Sequence, residues 1–154
     1  QPQQVPPPMA DAPHYWTPAF IEAFVEAIND DEDFQHTARK FSDTIIFRCL
    51  DTPDGKDIEA TYEFDEGEIV SVEIWEEDAP SADLRDDPFN KKTTMARATA
   101  PYPVWVKLDK GEMNALQAIT SPDYEVEGPK LKIMANIGVL NGMGDVAAKV
   151  EKTY

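Results

Sequence analysis

The side chains of this chain that could carry covalent or metal chemistry are few and badly spaced for it. His14, His36 and Cys49 fall at no ligand spacing such as C-x-x-C or H-E-x-x-H, so neither a metal centre nor a Cys–His nucleophile is expected. Asp51, Asp54, Asp57 and Glu59 look like the start of a calcium loop, yet the twelve-position pattern fails and an Asp54-Gly55 hairpin turn explains them better. Gly142-Met143-Gly144 lacks the third glycine and the preceding strand of a dinucleotide fingerprint, and Gly55-Lys56 lacks the rest of a phosphate loop. No cofactor is implied. A buried carboxylate beside Tyr62 or Tyr102 is the one catalytic arrangement left open, as a small isomerase or hydrolase, but no nucleophile, base and orienting group can be named together.

What the sequence offers instead is apolar surface. Met95, Met113, Met134 and Met143 join Trp75, Trp105, Leu116, Ile119, Ile133 and Ile137 in the second half, and flexible thioethers suit cavities that accept differently shaped guests. The densest stretch is Leu131 to Leu140, where only Lys132, Asn136 and Gly138 interrupt the apolar run. That arc is wider than packing on one sheet face requires, so it is expected to be covered on more than one side.

The bulk properties exclude some partners. The chain has 154 residues and a net charge of −16, enough length for one core and enough negative charge to repel phosphate backbones and anionic lipid headgroups. No nucleic-acid partner and no stable membrane insertion are expected, because no apolar run approaches the roughly 20 residues needed to cross a bilayer. One cysteine forms no intramolecular disulfide, which points to a reducing, cytoplasmic compartment. The Pro-rich opening fits an extended, disordered tail over 1–13, followed by a single domain over 14–154. The ending Lys152-Thr153-Tyr154 is no peroxisomal address.

The elements that must position this surface follow from periodicity. Thr17-Pro18 starts a helix whose Phe20, Ile21, Phe24, Val25 and Ile28 share one face, and a second helix follows Asp30 to Asp33 with Phe34, Ala38 and Phe41 along it. Strands are expected over 44–50, 58–64 and 68–75, joined by Asp54-Gly55 and Asp65-Glu66-Gly67 turns into an antiparallel meander. Alternation puts Ile58, Ala60, Tyr62 and Phe64 on a covered face and Glu59, Thr61 and Glu63 on a wet one. Residues 76–92 read as a charged surface crossover and a candidate lid. A strand over 93–99, short helices from Pro101 and Met113, a strand over 124–127 and a long helix launched by Gly128-Pro129 complete the chain.

The run from Thr93 to Glu112 with its Lys110-Gly111-Glu112 helix end, the helix around Ala118, and the strand ending at Gly128 before the apolar final helix resemble the lipid-binding domain of the sterol carrier protein type-2 family, in a bacterial-type, stand-alone form. The resemblance covers about 17–140 in element order. It implies an α+β fold, a five-stranded, mostly antiparallel sheet covered by helices around an apolar tunnel, and a non-enzymatic carrier of a fatty acyl chain, acyl-CoA or sterol-like lipid. The implied wall comprises Met95, Trp105, Leu108, Leu116, Ile119, Ile133, Met134 and Ile137, and Trp75 joins it by residue type. An alternative assigns the same apolar face to docking on a partner enzyme, with the chain as a noncatalytic accessory subunit.

Overall fold

A computed structural model describes residues 12–154; all but the last two residues of the expected tail over 1–13 lie outside them. Helix α1 (Pro18–Asp30) begins where Thr17 Oγ1 accepts from the Phe20 amide and Pro18 occupies the first turn, and it buries Phe20, Ile21, Phe24 and Ile28. Asp31 caps α2 (Glu32–Thr37), accepting from the Phe34 amide at 2.8 Å. This helix is shorter than its apolar spacing suggests. Ala38 is its C-cap, and Phe41 reaches the core from the loop beyond.

Among the described residues five strands form one sheet in the order β3-β2-β1-β4-β5: β1 (Thr44–Leu50), β2 (Lys56–Asp65), β3 (Glu68–Asp78), β4 (Ala96–Pro101) and β5 (Glu125–Glu127). The first three are the expected meander, with Glu66 and Gly67 both at positive φ in the two-residue turn. β4 lies parallel to β1 and antiparallel to β5, so the sheet is mixed. The last two strands begin later than their sequence runs suggest, at Ala96 and Glu125.

Register decides what each face carries. Ile45, Phe47 and Cys49 lie opposite Tyr62, Ala60 and Ile58 on β2 and beside Ala96, Ala98 and Ala100 on β4, making one apolar inner face. Helix α1 packs there, with Phe24 edge-on to Tyr62 at 5.6 Å. The Asn29 side chain extends this docking by donating to Ile69 O at 3.1 Å and accepting from Ile69 N at 2.8 Å.

The outer face is the expected wet surface only in part: Glu63 is exposed and Thr61 half-buried, but Glu59 is buried. The crossover after β3 carries a short helix, α3 (Ala82–Arg85), and buries Leu84 completely over that face. Beneath it Arg48 binds Glu59 at 2.8 Å and donates to Leu84 O. Asp57, fully buried, accepts from the amides of Asp51 and Ser81 and from two nitrogens of Arg85, all at 2.8–3.0 Å. On β4, Arg97 pairs with Glu127 at 2.8 Å and lies under the Phe89 ring. A segment too charged for a core is thus anchored by charge and buries one leucine.

After β4 come α4 (Tyr102–Asp109) and α5 (Ala115–Ile119), the latter starting from a capping box in which Asn114 and Gln117 satisfy each other's backbone amides. The apolar arc near the C-terminus is two helices, α6 (Lys130–Ala135) and α7 (Ile137–Lys149), broken at Asn136, whose side chain bonds back to Lys132 O at 2.9 Å. The arc is not covered on several sides: Leu131 is 88% and Met134 44% exposed. Gly128, at φ +135°, lets the chain pass close to β4; a Cβ there would stand 2.3 Å from Met95 O. The C-terminal residues close back on the start of the domain through Tyr15 N to Thr153 O at 2.8 Å and Thr153 N to Pro13 O at 3.0 Å.

Burial alone would raise the Asp57 carboxyl, but Arg85 and the two amides outweigh it and hold the pKa below the usual carboxylate range. Such a group contributes stability above its unfolded pKa, near ~3.9, and loses it as pH falls through the lower folded value. Asp57→Ala should therefore destabilise the protein by about 3 kcal/mol in urea unfolding at pH 7, with the gap to the parent narrowing below about pH 4.

Candidate functional site

The inner face does not close completely under its helices. Between α1, the sheet, α4 and α7 lies a cavity of about 340 Å³, at the lower end of the ~300–1,000 Å³ typical of small-molecule pockets. α1 supplies Phe20, Ile21 and Phe24; the sheet supplies Phe47 and Tyr62; α4 supplies Trp105, Leu108 and Asp109. Tyr15 and Trp16 enter from the segment before α1, Tyr124 from the turn before β5, and Leu140, Met143 and Ala147 from α7. Its rim includes Gly111, Asn114, Gly144, Asp145 and Ala148, all solvent-exposed.

Aromatic rings brace one another around the space. Trp105 stands 5.1 Å from Trp16, 5.1 Å from Phe47 and 5.7 Å from Tyr124, and Phe47 is 5.9 Å from Tyr62. The Trp105 indole N–H is satisfied within the scaffold, donating to Arg48 O at 2.9 Å and Ala100 O at 3.1 Å. Its ring therefore presents apolar surface with no donor to satisfy. Burial pushes the phenols of Tyr62 and Tyr124 up, so both are neutral at physiological pH.

A second, much smaller recess of about 10 Å³ adjoins the first and shares Phe47, Ala115, Tyr124 and Leu140 with it. Ile119, Val126 and Ile133 make its far wall. Of the residues singled out from sequence, Trp105 and Leu108 line the main cavity, and Ile119 and Ile133 the recess. Met113 and Met143 also face the main cavity.

The other five lie elsewhere. Trp75 faces Glu59 across the β2–β3 pair, on the outer side of the sheet, and donates its indole N–H to Glu77 at 3.0 Å. Met95 is buried against Asn136 and Gly128 without reaching either space. Leu116, half-exposed, and Met134 point to solvent, and Ile137 borders neither cavity. The break at Asn136 turns α6 out of the α7 register and removes Met134 from the wall. Sequence reasoning missed the N-terminal contribution: the Phe20, Ile21, Phe24 stripe was legible as a sheet cover, but nothing in its spacing showed that it leaves space beneath.

None of the residues in the 76–92 crossover lines either space, so that segment is no lid over this site. The described residues hold no cluster of three or more His, Cys, Asp or Glu able to bind a metal ion. No helix among them is long and apolar enough to cross a membrane.

No family model matches the sequence, and comparison with curated proteins returns no match. The architecture does have counterparts among solved structures. A crystal structure of sterol carrier protein 2 superposes with a TM-score of 0.69 at 15% identity, covering 89% of this chain and 99% of that one. The chain has the sterol carrier protein 2 fold. The solution structure of a conserved hypothetical protein from Thermus thermophilus matches equally well, with a TM-score of 0.70 at 16% identity over 91% of this chain and 92% of that one. The apo form of sterol carrier protein 2 from Yarrowia lipolytica is more distant, with a TM-score of 0.50 at 14% identity over 85% and 90%. The α+β architecture and the resemblance drawn from sequence are thus confirmed at the level of fold.

Gly144 separates the cavity's occupancy from the protein's stability. It lines the cavity, sits inside α7 and has nothing within 4 Å of where a Cβ would lie. Gly144→Leu should fill space without a clash and gain up to about 0.8 kcal/mol of helix propensity. Titration with a fluorescent fatty acid should show about tenfold weaker binding to Gly144→Leu, while Met134→Trp, on the surface, leaves affinity within about twofold of the parent.

Proposed function

We propose that this protein is a non-enzymatic carrier that binds and transfers a hydrophobic small molecule of the fatty acyl, acyl-CoA or sterol-like lipid class. The observation that carries the proposal is the aromatic-walled cavity of about 340 Å³ on the inner face of the sheet. A buried alkyl chain gains about 0.8 kcal/mol per methylene, so shape and area suffice for affinity without a covalent step. The end of a bound alkyl chain would point toward Phe47, Tyr124 and Leu140, which the main cavity shares with the recess. Solved structures with this fold include sterol carrier protein 2, which supports the same reading. Trp105, Leu108, Ile119 and Ile133 are the proposed contacts among the residues chosen from sequence. Function in the cytoplasm belongs to this reading, with Cys49 buried as a free thiol.

A second reading has one observation of its own: Leu131 at 88%, Leu116 at 50% and Met134 at 44% exposure put apolar side chains on the outer surfaces of α5 and α6. They would dock on a partner enzyme, with this chain as an accessory subunit.

Native mass spectrometry of the purified protein, followed by solvent extraction, tests the carrier reading. A co-purifying lipid, or saturable binding of a fluorescent fatty acid by the extracted protein, is expected. If no lipid accompanies the protein and no fluorescent lipid binds, it is not a carrier.

A further inference from the structure

The cavity is mostly apolar; Asn114, Asn141 and Asp145 border it, and a further polar group stands where α4 ends. Asp109 lines it, and the residue is only 7% exposed. Its Oδ2 accepts from Lys152 Nζ at 2.8 Å and from the Tyr154 hydroxyl. Its Oδ1 is buried and has no hydrogen-bond partner among the described residues. A buried carboxyl oxygen left without a hydrogen-bond partner is costly, so this atom calls for one.

The charges around the cavity say what kind of partner. Asp109 and Asp145 are the charged residues in its lining, and both are acidic. Lys152, the nearest cation to Asp109, is already committed: besides Asp109 it donates to Ala147 O at 2.7 Å, and its ammonium lies 5.6 Å from the Tyr15 and Phe20 ring centroids. Burial first, and then the Asp109 carboxylate, pushes the Tyr15 phenol up, and the Tyr154 phenol, which donates to Asp109, is raised by burial and that bond. An ionised carboxylate head brings no donor for Asp109 Oδ1 and finds no cation among the lining residues to balance its own charge. An ammonium head would compete with Lys152 for a charge already neutralised. A neutral hydroxyl has neither problem, because it brings one donor to one free acceptor and no charge of its own.

We propose that Asp109 Oδ1 is the anchor for the hydroxyl group of an uncharged amphipath, so that the cavity selects long-chain or ring alcohols over carboxylates of the same body. This rests on the carrier reading above and narrows it. The Asp109–Lys152–Tyr154 clasp thereby sets head-group specificity while the aromatic walls set affinity. It also ties the C-terminal residues to the site, since two of the three clasp members come from them.

The test uses one alkyl body with three heads: 1-dodecanol, dodecyl methyl ether and dodecanoate at about pH 7.5, titrated into lipid-free full-length protein. Binding is followed by the fluorescence of Trp16 and Trp105, which line the cavity, and checked by calorimetry. A hydroxyl donating to a charged acceptor should bind about tenfold or more tightly than the ether, which has no donor, and dodecanoate should bind at least as weakly as the ether. Asp109→Leu combined with Lys152→Met, which removes both charges at similar volume, should bring alcohol and ether within about twofold. If alcohol and ether bind the parent protein equally, or dodecanoate matches the alcohol, the anchor is wrong and the carrier reading stands. If none of the three binds, the carrier reading fails and the anchor with it. The parent series decides the matter even if the double variant does not fold.

Discussion

The parallel pairing of β1 with β4 is the constraint on which the rest of this structure depends. Antiparallel neighbours can be joined by a two-residue turn, as β2 and β3 are, but a strand entering parallel to β1 needs a long crossover over one face. Here that crossover takes the outer face, leaving the inner face to α1, α4 and α7. The two faces then follow opposite chemistry. Outside, Arg48, Asp57 and Arg97 are paired in a polar layer; inside, the same strands contribute Phe47, Tyr62 and a row of small alanines.

Those alanines bear on the cavity. Ala96, Ala98 and Ala100 line up on β4, where larger residues would fill the inner face, and Ala96 and Ala98 form part of the recess. Interiors are normally packed to crystal-like density, so a space of about 340 Å³ that no side chain occupies is a departure that the surrounding residues must hold open. Braced rings make the space persist. Trp105, held by two carbonyls and flanked by Trp16, Phe47 and Tyr124, cannot collapse inward without breaking its hydrogen bonds. Under the carrier proposal, a guest in this space would stabilise the fold by mass action.

Strand existence, turn chemistry and the first helix were legible because each rests on local periodicity: β1 runs from Thr44 to Leu50 as its β-branched pattern indicates, and Glu66-Gly67 turns where it should. What the sequence concealed are consequences of tertiary contact. Glu59 alternates as a solvent residue, yet Arg48 and the crossover bury it. Trp75 is apolar by type, but parity puts it with Glu59 and Glu73 rather than with Val72 and Ile74. Residue type had outweighed period there, and period was the better guide. Met134 failed for another reason: one side-chain bond at Asn136 ends α6, a break that apolar counting over 131–140 does not register.

Structures only 15–16% identical to this chain share its fold, although no family model matches its sequence. Physics makes that combination reasonable. A catalytic site fixes particular residues at particular positions, because a proton or an electron pair must move between named atoms. A cavity that holds an apolar body fixes only volume, alternation and an enclosing set of elements, and many sequences meet those terms. Sequence similarity can therefore decay while the sheet order persists. On this argument the informative positions are those that break the apolar rule, and in this cavity they are polar groups that apolar packing alone would not place there. Asp109 stands out among them because a buried carboxylate is costly unless something engages each of its oxygens.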